Sequence, residues 1–166
     1  MVRTPRSEGV AAPAPRPPRA AAAPLDHALL NHLLGYSLAR AAIATRAAFD
    51  AAIGQPLKLR PVEFTILVLL LGNDDVTPKM LSAALAIQPP NLSFLVDRLH
   101  DAGWVTRVRS REDRRSQHVR LTPRGAELAR RAHRISQSME DEALRVLSAA
   151  ERALLFEMLS KVARGA

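Results

Sequence analysis

The sequence predicts a mainly α-helical fold interrupted by one two-stranded β-hairpin. Three observations carry that expectation. Apolar residues recur at three- and four-residue steps over most of the chain from Leu25 onward. Between Val105 and Leu121 the period shortens, and β-branched residues alternate with arginines. Proline or a capping residue stands at the head of nearly every helical stretch.

Residues 1–24 hold six of the twelve prolines and seven alanines. They lack the apolar mass that would offset ordering entropy, so they read as a disordered Ala/Pro/Arg-rich arm. Their Arg-rich, acid-poor composition also fits an organelle transit peptide. A first helix is expected from Leu25 to about Ile53, carried by Leu29, Leu30, Leu33, Leu34, Leu38 and Ala41 and closed by Gly54-Gln55-Pro56. Pro61 suits the first position of a second helix, because its missing N–H would have no partner there. That helix carries Phe64, Leu67, Val68 and Leu71 and stops at Gly72-Asn73. Thr77-Pro78 opens a short third helix with Met80, Leu81 and Leu85. Pro89-Pro90 opens a fourth, running to about Ala102 before Gly103. Two short strands follow, around Val105–Val108 and Val119–Leu121, joined by Ser110 to Ser116. Thr122-Pro123 starts a long helix through about Val146, and the capping box Ser148–Glu151 starts the last one.

Composition narrows the function. The chain has 166 residues, 48% hydrophobic, enough for one packed domain. It has no cysteine, which excludes disulfides, thiolate metal sites and thiol chemistry. The longest apolar run, Phe64 to Leu71, makes about two helical turns, so no membrane span is expected. No secretory signal is evident. Aromatics are 4%, too few for a single-strand stacking platform. There is no Gly-rich phosphate loop, no GxSxG and no paired acid and base, so no enzyme, cofactor or metal is expected. His27, His32, His100, His118 and His133 lack metal-ligand spacing.

The net charge of +8 is concentrated. Residues 104–124 carry seven arginines against Glu112 and Asp113, and residues 1–24 carry four against Glu8. The rest of the chain is close to neutral. A short basic segment attracts a polyanion, most often nucleic acid, although a solvated charged loop has the same composition.

Two short helices with a tight link match a helix-turn-helix, and the basic hairpin behind them matches a wing. The second helix of such a motif enters the major groove. At about 100° per residue, Leu92, Leu95, Val96 and Leu99 share one side of it. Phe94 lies nearly opposite, with Pro90, Asn91, Ser93, Asp97 and Arg98 sharing or flanking its side. Phe94 is then placed to meet thymine methyl groups, and Asn91 a base edge or phosphate. The alternative is that Phe94 packs on a neighbouring loop or stands idle. Arg98 reaches a phosphate or pairs with Asp101 within the helix. At the hairpin tip, one of Arg111, Arg114 and Arg115 is a candidate for the minor groove, with Asp113 either orienting an arginine or simply favouring the turn without a partner.

These residues resemble a known family. From Leu34-Gly-Tyr36 through Leu121-Thr-Pro-Arg-Gly125 the chain is similar to MarR-type bacterial transcription regulators. The matching pieces are Pro61-Val-Glu-Phe64, Asn91 to Leu99, Gly103-Trp-Val105, Asp113-Arg-Arg115 and Val119-Arg-Leu-Thr-Pro123. The resemblance implies a winged-helix homodimer that binds pseudo-palindromic operators in double-stranded DNA, usually as a repressor. It implies release from DNA by small aromatic acids or related metabolites, and a cytoplasmic, nucleoid-associated protein. It also assigns Asp113 and Arg115 to the minor groove. The chain departs from the family pattern at Arg60, where Thr is frequent, at Phe94, where a basic or polar residue is common, and at Pro89-Pro90. The absence of cysteine sets it apart from the peroxide-sensing branch.

The expected organisation is thus an arm (1–24), an N-terminal dimerisation helix (25–56), a winged helix-turn-helix (57–122) and C-terminal dimerisation helices (123–166). Leu154, Leu155, Met158, Leu159 and Val162 form an apolar stripe that suits a two-fold interface, or else burial against the chain's own wing domain. Two-fold symmetry would set the recognition helices roughly 34 Å apart. His32, Tyr36 and Arg40, at four-residue steps, with Arg60 near them, suit an aromatic carboxylate or the phosphates of an acyl-CoA thioester. A solvated stripe is the plainer alternative. A chromatin-like winged helix that binds duplexes without sequence preference is the competing function.

Overall fold

The computed structural model describes residues 25–109 and 117–165. The arm expected at 1–24 and the hairpin tip at 110–116 lie outside the described residues. A 3-10 turn at Ala28–Leu30 precedes helix α1 (Leu34–Phe49). A π-helical turn at Asp50–Gly54 leads into the single turn α2 (Gln55–Leu57). Helices α3 (Pro61–Leu71), α4 (Pro78–Leu85) and α5 (Pro89–Asp101) follow. Strands β1 (Val105–Arg109) and β2 (Gln117–Leu121) pair antiparallel with Val105 opposite Leu121 and Arg109 opposite Gln117. Helices α6 (Pro123–Ser136) and α7 (Ala149–Arg164) complete the chain.

The boundaries of two helices differ from expectation. The first helix begins at Leu34 rather than Leu25, and Pro56 does not end it. Gln55 N–H bonds to Asp50 O, five residues back. The wider π turn gives the Pro56 ring room beside the preceding carbonyls, so the chain stays helical to Leu57. Lys58, at φ 55°, makes the reversal. The long helix expected to reach Val146 stops at Ser136. Ser136 Oγ donates to His133 O at 2.8 Å, competing with the backbone ladder. The acidic run Glu140–Glu142 also opposes the negative end of the helix dipole. The chain continues as hydrogen-bonded turns, which Arg152 of α7 secures. Its guanidinium donates to Leu144 O (3.1 Å), Asp141 Oδ1 (3.0 Å) and Asp141 O (3.2 Å).

The core lies under α3. Ile53, Ile66, Leu67, Leu81, Leu92, Val96, Leu99, Val105 and Val119 are almost entirely buried. Phe49 meets Phe64 edge to face, with ring centroids 5.6 Å apart. The hairpin is tied to this core twice. Val119 N–H bonds to Val76 O (2.8 Å), adding a rung from the link between α3 and α4. Thr122 Oγ1 donates to Gly103 O (2.7 Å) and accepts from Gly125 N–H (3.0 Å), capping α6 against the start of the hairpin.

The remaining large apolar side chains are distributed unevenly. Leu25, Leu29, Leu30, Leu33, Leu34, Leu38 and Ile43 are exposed at one end of the chain, and Leu154, Leu155, Phe156, Met158 and Val162 at the other. No residue of α7 is buried. The stripe on α7 is therefore not packed on the winged domain of its own chain. An apolar surface of this size marks an interaction site.

Candidate nucleic-acid interface

Helix α5 is oriented by its buried face. Leu92, Val96 and Leu99 are fully buried and Leu95 is half-buried. Pro90, Asn91, Ser93 and Phe94 consequently face solvent, and Phe94 is 61% exposed. Phe94 therefore does not pack into the protein. Gln88 supplies no side-chain cap, and Pro89 and Pro90 have no N–H. That removes two of the backbone donors a helix N-terminus ordinarily offers to phosphate. The exposed side chains, beginning with Asn91, are then the main polar groups at this end of the helix.

Arg98 is engaged differently from expectation. Its Nη2 lies 2.8 Å from Glu63 Oε1 on α3, not against Asp101. Glu63 is the one charged residue buried among the described residues, at 2% exposure. Its other oxygen accepts the Arg60 N–H at 2.9 Å. Arg60 has no side-chain acceptor to cap α3, so Glu63 performs that half of the capping box alone. One carboxylate thus holds both the start of α3 and the last turn of α5. The neighbouring Asp97 holds Arg107 of β1 at 2.7 Å. Two consecutive residues of α5 therefore fix it to the domain and to the hairpin. Sequence reading missed Glu63 because nothing in its spacing marks a buried carboxylate. It missed Asp75 as well, which binds Arg120 of β2 at 2.6 Å from a left-handed turn.

Among the hairpin residues, Arg107, Arg109 and Arg120 are exposed on the strands. Arg111, Asp113, Arg114 and Arg115 lie outside the described residues, as does Glu112.

Of the candidate effector residues, Tyr36 and Arg40 come together. The Arg40 guanidinium sits 5.9 Å from the Tyr36 ring centre, and the Tyr36 hydroxyl bonds to His27 Nδ1. His32 precedes α1, so the four-residue helical spacing does not extend to it. Arg60 is exposed at the head of α3, and no hydrogen bond or ion pair joins its side chain to Tyr36 or Arg40 among the described residues. A cavity of about 480 Å³ opens between α1, α3 and the turns after α6, lined by Thr45, Arg46, Phe49, Phe64, Thr65 and Met139 among others. Arg46 at its wall was not singled out in the sequence, because it sits outside the Tyr36–Arg40 stripe.

The start of α7 carries the clearest titration effect. Glu151 Oε2 accepts from the Ser148 backbone N–H (2.8 Å) and hydroxyl (2.7 Å). These bonds, the backbone one foremost, hold its carboxyl below the ordinary value of 4.5. A carboxylate lowered on folding stabilises the folded state above its unfolded pKa. That stabilisation is lost as pH falls through the lowered value. The first turn of α7 is expected to fray in acid below pH 4.5. Amide exchange at residues 149–152, followed against pH, checks it. A Glu151→Gln variant should lose the pH dependence.

Comparison with known proteins agrees with this geometry. The MarR family profile matches residues 57–116. An HTH-type transcriptional repressor of Mycobacterium tuberculosis is 31% identical over 129 residues, covering 78% of this chain and 92% of that protein. The solved structure of the transcriptional repressor CouR bound to a 23-mer DNA duplex superposes with a TM-score of 0.77. The two share 32% identity, over 85% of this chain and 99% of CouR. A MarR family protein of M. tuberculosis in complex with salicylic acid gives a TM-score of 0.62 at 31% identity, covering 78% of this chain and 95% of that one. The fold is the winged helix-turn-helix, and the chain belongs to the MarR family.

Proposed function

We propose that this protein is a homodimeric, sequence-specific DNA-binding transcription regulator, a repressor that a small aromatic acid or acyl thioester releases from a pseudo-palindromic operator. The observation that carries this reading is the solvent face of α5. Pro90, Asn91, Ser93 and Phe94 stand exposed on a helix whose opposite side is locked in the core, beside a basic hairpin. Phe94 meets thymine methyl groups, and Asn91 a base edge or phosphate. On the hairpin tip, outside the described residues, one of Arg111, Arg114 and Arg115 enters the adjacent minor groove, with Asp113 orienting an arginine. Arg98 contributes by setting the angle of α5 through Glu63. The likeness to CouR, solved on a DNA duplex, supports the reading.

Homodimerisation follows from the exposed apolar surfaces of α1 and α7, which a second copy would cover. The effector half rests on Tyr36 and Arg40, on Arg60, which precedes Pro61 of the cavity wall, and on His32 just before α1. The relative solved with salicylic acid supports that chemical class. The protein would work in the cytoplasm, on the nucleoid.

Competition binding tests the reading. Labelled duplex carrying the upstream region of the protein's own gene is titrated at two salt concentrations, with unrelated duplex as competitor. Sequence-specific binding at least about a thousandfold tighter than to competitor is expected, with affinity falling steeply as salt rises. A specificity ratio near one would support a chromatin-like binder instead. Phe94→Arg should change the preferred sequence by replacing methyl contact with guanine-seeking donors. Site selection with the variant checks it, and an unchanged preference would make Phe94 an idle surface residue.

A further inference from the structure

Beyond the recognition helix and wing, helix α6 carries a second basic surface. Gly125, Ala129 and Ala132 bury one side of it. Arg124, Arg130, Arg131 and Arg134 are all exposed. At about 100° per residue they fall within an arc of about 120° opposite the buried side. Glu127 is the one acid in that arc. It sits three or four residues from Arg124, Arg130 and Arg131, yet no ion pair joins it to any of them among the described residues. Elsewhere the same spacing does pair, as between Glu142 and Arg145 at 2.7 Å. The face therefore presents four guanidinium groups with one carboxylate among them.

We infer that this face of α6 binds the phosphate backbone of duplex DNA flanking the segment held by α5 and the hairpin. The inference rests on the DNA-binding function proposed above. Three features favour this occupant. The arginines from Arg124 to Arg134 extend about 15 Å along the helix. That length is enough to meet several phosphates of one strand, which recur at about 3.4 Å of rise along the duplex axis, and guanidinium groups bind phosphate in paired hydrogen bonds. The helix is also held firmly to the hairpin. Strand β2, about 17 Å long, runs into α6 through the Thr122 cap, and Gly125 lies against Trp104, so the two move as one body. Finally, two of the three acids in the turns just after α6, Asp141 and Glu142 but not Glu140, are already engaged within the chain. Asp141 holds Arg152 at 3.0 Å and Glu142 holds Arg145 at 2.7 Å. To reach α6, the duplex must curve toward the protein on either side of the operator.

The test compares two duplexes carrying one sequence recovered by selection from a random pool. The first spans about two helical turns, and the second extends it by about one turn of arbitrary sequence on each side. The wild-type protein should bind the longer duplex about tenfold more tightly, with a steeper salt dependence, each added phosphate contact contributing a slope of about 0.9. The variant R131Q/R134Q should bind the short duplex as the wild type does and lose the gain on the long one. R131K/R134K should recover most of that gain, and thermal melting should show all three proteins equally folded. Equal wild-type affinity for both duplexes overturns the inference while leaving the operator reading intact. So does an equal loss on both duplexes in the Gln variant. A change in sedimentation of the Gln variant in place of a flank effect would assign the face to a second copy. Failure of the wild type to bind either duplex would remove the underlying DNA-binding function as well.

Discussion

Gly125→Ala should destabilise the protein by about 3 kcal/mol or more, at the severe end for a small overpacking change. A Cβ at this position would stand 1.8 Å from Trp104 O and 2.7 Å from Trp104 C. These are backbone atoms, so no side chain can swing away to make room. The same backbone is committed elsewhere. Trp104 O accepts the Thr122 N–H at 3.0 Å, and Trp104 N–H bonds to Leu99 O at 2.9 Å. Relief would have to separate α6 from the start of β1 and disturb the end of α5. Thermal unfolding should show a melting temperature lower by about 10 °C. DNA binding should weaken with it, since the hairpin would lose its seat. A variant as stable as the wild type would mean that α6 can slide on the hairpin without loss.

Arg98→Met is expected to cost about 2–3 kcal/mol. The methionine keeps much of the packing but leaves the Glu63 carboxylate buried with the Arg60 N–H as its remaining partner. Arg98 is a third exposed, so the cost falls below that of a fully enclosed ion pair. The diagnostic is the double variant Glu63→Gln/Arg98→Met. Removing both charges should recover a large part of the loss, because the stranded buried charge is the main penalty. Denaturant unfolding of the two single variants and the double variant measures the coupling. Additive losses would show that Glu63 and Arg98 act independently. A second readout separates stability from positioning. At a temperature where every variant is folded, Arg98→Met should still lose sequence preference, because the angle of α5 is no longer fixed to α3.

How much of this was legible in the sequence varies by element. The helices α3, α4 and α5 are punctuated by Pro61, Thr77-Pro78 and Pro89-Pro90, whose local chemistry acts whatever surrounds them. The hairpin was legible from Val105, Val108, Val119 and Leu121 alternating with charge. The wheel of α5 gave the exposure of Phe94, because three buried aliphatics fix the rotation of a short helix. Other features depend on contacts made across the chain. Pro56 ordinarily ends a helix, and only the wider π turn beside the core lets it continue. Ser136 and the acids after it end α6, although the apolar period runs on through Ile135 and Met139. Glu63 reads as an ordinary helical glutamate until Arg98 closes on it from thirty-five residues away. The exposed apolar surfaces of α1 and α7 likewise acquire meaning only in an assembly, where a second copy would cover both.

The most direct measurement is selection of binding sites by the purified full-length protein from a pool of random-sequence duplexes, with the mass of the recovered complex determined alongside. The expected result is one enriched motif in two inverted halves, about one DNA turn between centres, carried by two protein chains per duplex. A pool that emerges without enrichment, or a motif bound by a single chain, would contradict a two-fold reader built on α5 and its hairpin.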